Sequence, residues 1–237
     1  MSKIKLGLVI AKPEDIISEL EKYVASDEAD LLVFPEGYLK SEYLDQAKQI
    51  AKTHKKWIVT GMDDKRLKNK KLESGIVIDP SGKIVGEHQK TSITQWEIDH
   101  GFKRGNSVKA LKTSLGVFGF AICYEIHFPE VTRILALQGV DIIFNPIGTG
   151  MWHEEQFKQW NAVAKTRASE NRAFVVGCSH YNDAIPIAYA YAPTGECLVS
   201  ARDTNRLISV VLDLDKYKTD KHFKERRPEL YSLLTKK

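Results

Sequence analysis

The sequence predicts a mixed α/β protein of layered architecture, and three observations predict it. Strand-like apolar runs alternate with helical patterns in the first and third quarters of the chain. Hairpin-like strand pairs flank the turn signals Pro80-Ser-Gly82 and Pro193-Thr-Gly195. No Gly/Ser/Pro-rich linker or charge block divides the 237 residues, so residues 1–237 are expected to form one domain.

The elements follow in order. Residues 4–10 read as a first strand, because their apolar run is too short for a signal peptide. A helix is expected over 13–25, with Pro13, Glu14 and Asp15 suited to its first turn. Strand 31–34 ends in Phe34-Pro-Glu36, and a helical pattern covers 42–54. Strands are expected at 57–61, 75–78 and 83–87, the last two joined by the Pro80-Ser-Gly82 turn, and then at 107–113 and 116–122. A helix at 129–138 opens on Pro129, which suits a first helical turn, and strand 141–145 follows it. Helix 155–170 and strand 173–178 complete the alternation.

Composition narrows the function class. Thirty-five basic residues against 31 acidic ones give a formal charge of +4, dispersed except at Lys65-Arg-Leu-Lys-Asn-Lys-Lys71. No aromatic residues interleave that cluster, so it reads as a solvated hairpin connection and no nucleic-acid partner is expected. No stretch approaches the roughly twenty apolar residues of a membrane helix, so no membrane association is expected either. Cys123, Cys178 and Cys197 make an odd set without a close pair. That builds neither a disulfide framework nor a zinc site, and it suggests a reducing, cytoplasmic setting. Cys178 and Cys197 lie in or beside strand-like runs and read as core packing.

Cys123 has a different context. In Gly119-Phe-Ala-Ile-Cys-Tyr-Glu-Ile-His-Phe-Pro-Glu130 a hydrophobic run stops at the thiol and a polar, Pro-containing segment begins, as at a strand end that displays a nucleophile. Asp30-Leu-Leu-Val-Phe-Pro-Glu36 has the same shape and ends in a carboxylate, and Gly86-Glu-His-Gln-Lys90 sets a lysine just after a strand and turn. Each also has a bland reading: Cys123 as a small core residue, Glu36 as a solvated loop carboxylate, Lys90 as surface charge. The conjunction points to chemistry. A thiol with a pKa of about 8.5 is mostly neutral at pH 7, so it needs a base or a nearby cation. A carboxylate such as Glu36 can take its proton and later one from water. An ammonium such as Lys90, helped by the Tyr124 N–H, can donate to the oxyanion that forms when sulfur adds to carbon.

Taken together, Phe34-Pro-Glu36, His88-Gln-Lys90 and Cys123-Tyr-Glu-Ile-His-Phe-Pro-Glu130 resemble, in order, the Glu-Lys-Cys triad motifs of the nitrilase superfamily of carbon–nitrogen hydrolases. Asn145-Pro146, Arg167-Ala-Ser-Glu-Asn171 with Ala173-Phe-Val-Val-Gly177, and Arg226-Arg-Pro-Glu-Leu-Tyr231 extend the likeness over nearly the whole chain. The resemblance implies a four-layer α-β-β-α sandwich with its active site at strand ends. It implies a hydrolase of non-peptide C–N bonds in which Glu36, Lys90 and Cys123 are catalytic, with a thioester on Cys123 and no cofactor or metal. It further implies a supporting glutamate between the lysine and the cysteine, which Glu97 resembles, with Asp99 as rival. Subunits of the family generally pair, so a homodimer is expected; the segment after Asp213 has few apolar positions of its own and must lean on a neighbour or on its own subunit.

Tyr124 and Glu125 after the cysteine resemble the amidase branches more than true nitrilases, so a small linear amide is the expected substrate, with ammonia and a carboxylic acid as products. The alternatives are an N-carbamoyl compound or a nitrile, and outside enzymes a catalytically silent scaffold or an acceptor-dependent module. His127 stands where many amidase-like members carry Arg, and a histidine does not replace that permanent bidentate charge. Tyr124, His127, Ile147 and Trp152 are the candidate substrate contacts, the last two from their position after the Asn145-Pro146 strand end.

Overall fold

The computed structural model describes residues 3–11, 15–68, 70–202, 206–217 and 222–235. Its strands are β1 (Lys3–Ile10), β2 (Leu31–Val33), β3 (Leu39–Lys40), β4 (Trp57–Asp64), β5 (Leu72–Ile78), β6 (Ile84–Gln89), β7 (Leu111–Thr113), β8 (Gly116–Phe120), β9 (Ile142–Ile147), β10 (Phe174–Ser179), β11 (Ala188–Tyr191), β12 (Cys197–Ala201) and β13 (Arg206–Asp213). Its α-helices are α1 (Ile16–Val24), α2 (Leu44–His54), α3 (Gln95–Asp99), α4 (Pro129–Leu137) and α5 (Glu154–Asn171).

These elements form two mixed sheets. One runs β13-β1-β2-β4-β5-β6, with β3 pairing on β4, and the other β12-β11-β10-β9-β8-β7. In the first, β1, β2 and β4 are parallel neighbours, and β4-β5-β6 is an antiparallel meander through the Pro80-Ser-Gly82 turn. In the second, β8, β9 and β10 are parallel and β10-β11-β12 is antiparallel, with Pro193-Thr-Gly195 at the last turn.

Period-two alternation assigns each strand residue to a layer. Leu6, Leu8, Leu31, Val33, Val59 and Val77 from the first sheet meet Phe118, Phe120, Phe144 and Val176 from the second in one core. The intervening residues Val9, Leu32, Ile58 and Ile76 turn outward onto Leu20, Val24, Ala47 and Ile50 of α1 and α2. Likewise Ile143 and Val175 turn onto Val131, Leu135, Trp160 and Ala164 of α4 and α5. Strands buried on both faces read as continuous apolar runs. The result is the expected four-layer α-β-β-α sandwich. The two sheets approach closely at Gly75, where a Cβ would stand 2.6 Å from the Phe120 ring.

Some elements differ from the sequence reading. The 107–113 strand shortens to Leu111–Thr113, because residues 103–110 cross the end of β6 without a continuous ladder. The two-residue β3, the five-residue α3 and the edge strand β13 have no counterpart among the elements expected from sequence. Of the expected first-turn residues of α1, Pro13 and Glu14 lie outside the described residues, whereas Asp15 is the N-cap and accepts the Ser18 N–H at 3.2 Å. Cys178 is buried in β10, with its thiol on the Val33 carbonyl at 3.3 Å. Cys197 is not core: it opens β12, the outermost strand of its sheet, and is exposed. Among the described residues, no helix is long and apolar enough to cross a membrane.

Candidate active site

Glu36 follows β2, and the chain there is held against β4 by Phe34 N–H to Val59 O at 2.8 Å and Gly61 N–H to Pro35 O at 3.0 Å. A Cβ on Gly61 would collide with the Glu36 backbone, so β4 carries a glycine at that point. Lys90 directly follows β6; its N–H donates to Glu73 O at 2.8 Å and its carbonyl accepts from Gly105 N–H at 2.7 Å. The Lys90 side chain is 1 % exposed, and its Nζ lies 2.7 Å from Glu36 Oε1 and 2.6 Å from Glu97 Oε1. Burial alone would depress its pKa, but the neighbouring carboxylates of Glu36 and Glu97 outweigh that and hold it well above the usual lysine value. Lys90 is therefore a fixed cation. The other Glu97 oxygen accepts Thr94 N–H at 2.6 Å and its hydroxyl at 2.8 Å, the capping box that starts α3.

Cys123 begins a 3-10 turn (Cys123–His127) with its φ at 46°, a left-handed conformation that is unfavourable for a non-glycine residue. Asn145 supports it: Nδ2 donates to Cys123 O at 3.1 Å and also to Ala121 O, while Oδ1 accepts from Trp160 Nε1 at 3.1 Å and from the Tyr189 hydroxyl. The half-buried thiol shares its cavity wall with Glu36, Lys90 and Gly148. Burial and then Glu36 push its pKa up, and Lys90 opposes them. The resting sulfur is thus a neutral thiol with a carboxylate positioned to accept its proton. This cluster opens into a cavity of about 710 Å³, also lined by Lys40, Asp63, Lys71, Glu73, Trp96, Phe102, Trp152 and His180.

This fold and this arrangement have counterparts among known proteins. The carbon-nitrogen hydrolase family model matches residues 8–221. A probable nitrilase of Schizosaccharomyces pombe is 30 % identical over 191 residues, which cover 75 % of this chain and 68 % of that protein. The chain belongs to the carbon-nitrogen hydrolase family. An N-carbamoylputrescine amidase of Solanum lycopersicum is 29 % identical over 193 residues, covering 70 % of this chain and 64 % of that enzyme. The crystal structure of a carbon-nitrogen hydrolase from Helicobacter pylori G27 superimposes with a TM-score of 0.87 at 18 % identity, covering 100 % of this chain and 99 % of that one, a likeness of fold.

In this carbon-nitrogen hydrolase, Glu36, Lys90, Cys123 and Glu97 converge, although they come from four separate stretches of sequence. Between the two rival carboxylates the geometry separates Glu97, on Lys90, from Asp99, which accepts from the exposed Gln95 Nε2 at 2.8 Å. Of the four candidate substrate contacts, only Trp152 lines the cavity, and it is 68 % exposed. Ile147 does not: β9 extends through it, so it shares a face with Ile143 and is buried toward α5, leaving Gly148 and Thr149 to form the wall. The Tyr124 ring is exposed against Phe128 and His127, at centroid distances of 5.2 and 5.7 Å. His127 sits edge-on to Trp160 at 4.7 Å, and burial followed by the Arg167 charge depresses its pKa. Both rings lie outside the cavity lining.

Sequence reasoning missed several cavity residues, His180, Glu73 and Asp63 among them. His180 Nε2 lies 2.7 Å from Glu36 O. Since a carbonyl only accepts, that nitrogen carries the proton, and burial keeps the ring neutral by lowering its pKa. Glu73, in β5 two residues ahead of the strand expected at 75–78, faces the cavity beside Lys90. Lys71, assigned to a solvated connection, instead lies over the Phe102 ring at 3.9 Å.

Proposed function

We propose that the chain hydrolyses the C–N bond of a small linear amide through a thioester on Cys123, releasing ammonia and a carboxylic acid. The observation that carries this reading is the Lys90 ammonium, buried between Glu36 and Glu97 at 2.7 and 2.6 Å, beside a half-buried thiol that shares Glu36.

In this reading Glu36 takes the thiol proton as Sγ bonds the carbonyl carbon. The resulting oxyanion accepts from Lys90 and from the Tyr124 N–H, which lies in the first turn of the 3-10 helix where N–H groups lack helical partners. Collapse of the adduct breaks the C–N bond, and the proton held by Glu36 passes to the leaving nitrogen, giving ammonia. Water then enters and adds to the thioester carbon as Glu36 takes its proton, and the C–S bond breaks to free the acid while that proton returns from Glu36 to the sulfur. Glu97 keeps Lys90 charged and aimed, and every step uses side chains of this chain. The cavity, open to solvent on one side and with the apolar surfaces of Trp96, Phe102 and Trp152 at its walls, suits a short linear acyl group.

The remaining parts of the reading are a single domain over residues 1–237, cytoplasmic residence with the three thiols reduced, and a homodimer. The homodimer is supported by side chains left uncovered on one subunit: Ile134 and Leu137 of α4, and Leu230, Leu233 and Leu234 of the C-terminal segment, are exposed, although Arg133 and Phe223 already stack at 4.8 Å. The thioester is tested with hydroxylamine. During turnover of an aliphatic amide it should divert the acyl group to a hydroxamic acid while ammonia release continues. Ammonia release with no hydroxamate at any hydroxylamine concentration would overturn the thioester route.

A further inference from the structure

We infer that Glu73 and Asp63 form an ammonium-binding subsite in the cavity, and that the substrate is a linear amide whose far end carries a primary amine. This rests on the amide-hydrolase reading of the same cavity and extends it to the part of the substrate away from the scissile bond.

The register of β4 and β5 sets Asp63 opposite Glu73, so the two side chains share a sheet face. Both line the cavity that holds Cys123 and Lys90. Glu73 is 8 % exposed, and its Oε2 is buried without a hydrogen-bond partner among the described residues; Asp63 Oδ1 is in the same position. Buried acceptors without donors are rare in folded proteins, because the lost hydration is not replaced. Nearby cations do not reach these two atoms. Lys90 serves Glu36 and Glu97, Lys71 lies on the Phe102 ring, and Lys40, which donates to Gly37 O at 3.1 Å, and Lys65 pair with the other Asp63 oxygen at 3.5 and 3.9 Å. Glu73 Oε2 and Asp63 Oδ1 therefore remain as acceptors for whatever enters.

That pair selects the ligand by chemistry. Two carboxyl groups side by side repel an anion, and a hydroxyl supplies one donor and no charge. An ammonium supplies three N–H donors and the opposite charge. Burial and then the Glu36 carboxylate push the Glu73 pKa well up, a shift that an arriving cation opposes. Gly37 leaves the approach open: a Cβ there would stand 3.7 Å from both Glu73 oxygens. The distance to the chemistry is short, since Glu73 is one strand from Lys90 and Asp63 one further, at about 4.8 Å per strand. A few methylenes span that reach.

The test is calorimetric binding to Cys123→Ala, which retains the cavity without the nucleophile, of a linear ω-amino amide and of the chain-matched amide ending in methyl. The amino amide should bind about tenfold to a hundredfold tighter, the range of a charge-assisted hydrogen bond. In Cys123→Ala/Glu73→Gln and Cys123→Ala/Asp63→Asn the preference should fall to near unity, with unfolding midpoints showing that each double variant is folded. Equal or absent binding of the two amides, or a preference that survives both second substitutions, overturns the subsite. Turnover reads the catalytic proposal separately. An amino amide that binds with this preference but is never hydrolysed sinks amide hydrolysis alone, and hydrolysis of both amides without preference sinks the subsite alone.

Discussion

Glu125 Oε1 accepts both the N–H and the hydroxyl of Thr91, each at 2.6 Å, tying the residue after Lys90 to the turn that begins with Cys123. Its other oxygen accepts Ile122 N–H at 2.8 Å and lies 2.9 Å from His88 Nε2. One buried carboxylate thus fixes the lysine and cysteine segments relative to each other. Burial would raise its pKa, but the donors from His88 and Thr91 outweigh burial and lower it. Glu125→Ala strands these donors in the interior, and we expect a loss of about 3–5 kcal/mol, read from urea unfolding.

The same carboxylate gives the acid limb of stability its sign. A folded pKa below the unfolded value of about 4.3 means that the Glu125 contribution is fully present above that value and is lost as pH falls through the folded pKa. Glu73 has the opposite sign. Its folded pKa lies above the unfolded one, because of burial and then Glu36, so it lowers stability as pH rises through the folded value. Glu73→Gln is expected to be more stable than the wild type at pH 7, with the difference vanishing below about pH 4. Unfolding midpoints of both proteins across that range check the prediction.

Gly148 sits where a Cβ would stand 2.6 Å from Glu36 Oε2. A carboxylate end can move aside, so Gly148→Ala should fold, but Glu36 would leave its position beside Cys123. A displacement of this size is expected to lower kcat/KM roughly tenfold to a hundredfold with little change in unfolding midpoint. Unchanged kinetics would show that the Glu36 position does not matter.

Cys123 holds a left-handed backbone, φ 46°, which glycine adopts without strain. Cys123→Gly should therefore be about 1 kcal/mol more stable than Cys123→Ala, both being inactive. Paired urea titrations measure the difference.

Much of this arrangement is legible in the chain because each key residue follows a strand signal: Glu36 and Cys123 close apolar runs after β2 and β8, and Lys90 comes just after β6. Period two and the two turn signals carry the layering as well. What remained hidden has a physical reason in each case. Glu73 lies in the first part of β5, ahead of the apolar 75–78 run that marks the strand in the sequence, and only the second sheet and the Lys90 segment turn that face into a cavity wall. His180 and Asn145 act on carbonyls, Glu36 O and Cys123 O, that sequence does not bring near them. Ile147 was placed on the rim because the strand was expected to stop at Asn145, and two more residues of ladder with β10 turned it into the core.

The central claim is that the Cys123 sulfur carries the acyl group, and ammonia release measures it most directly. Wild type and Cys123→Ala would be assayed side by side on small aliphatic amides, ω-amides, N-carbamoyl compounds and nitriles. The account predicts release by the wild type, highest with linear amides, and none above the buffer blank from Cys123→Ala. Release that survives in Cys123→Ala would contradict it.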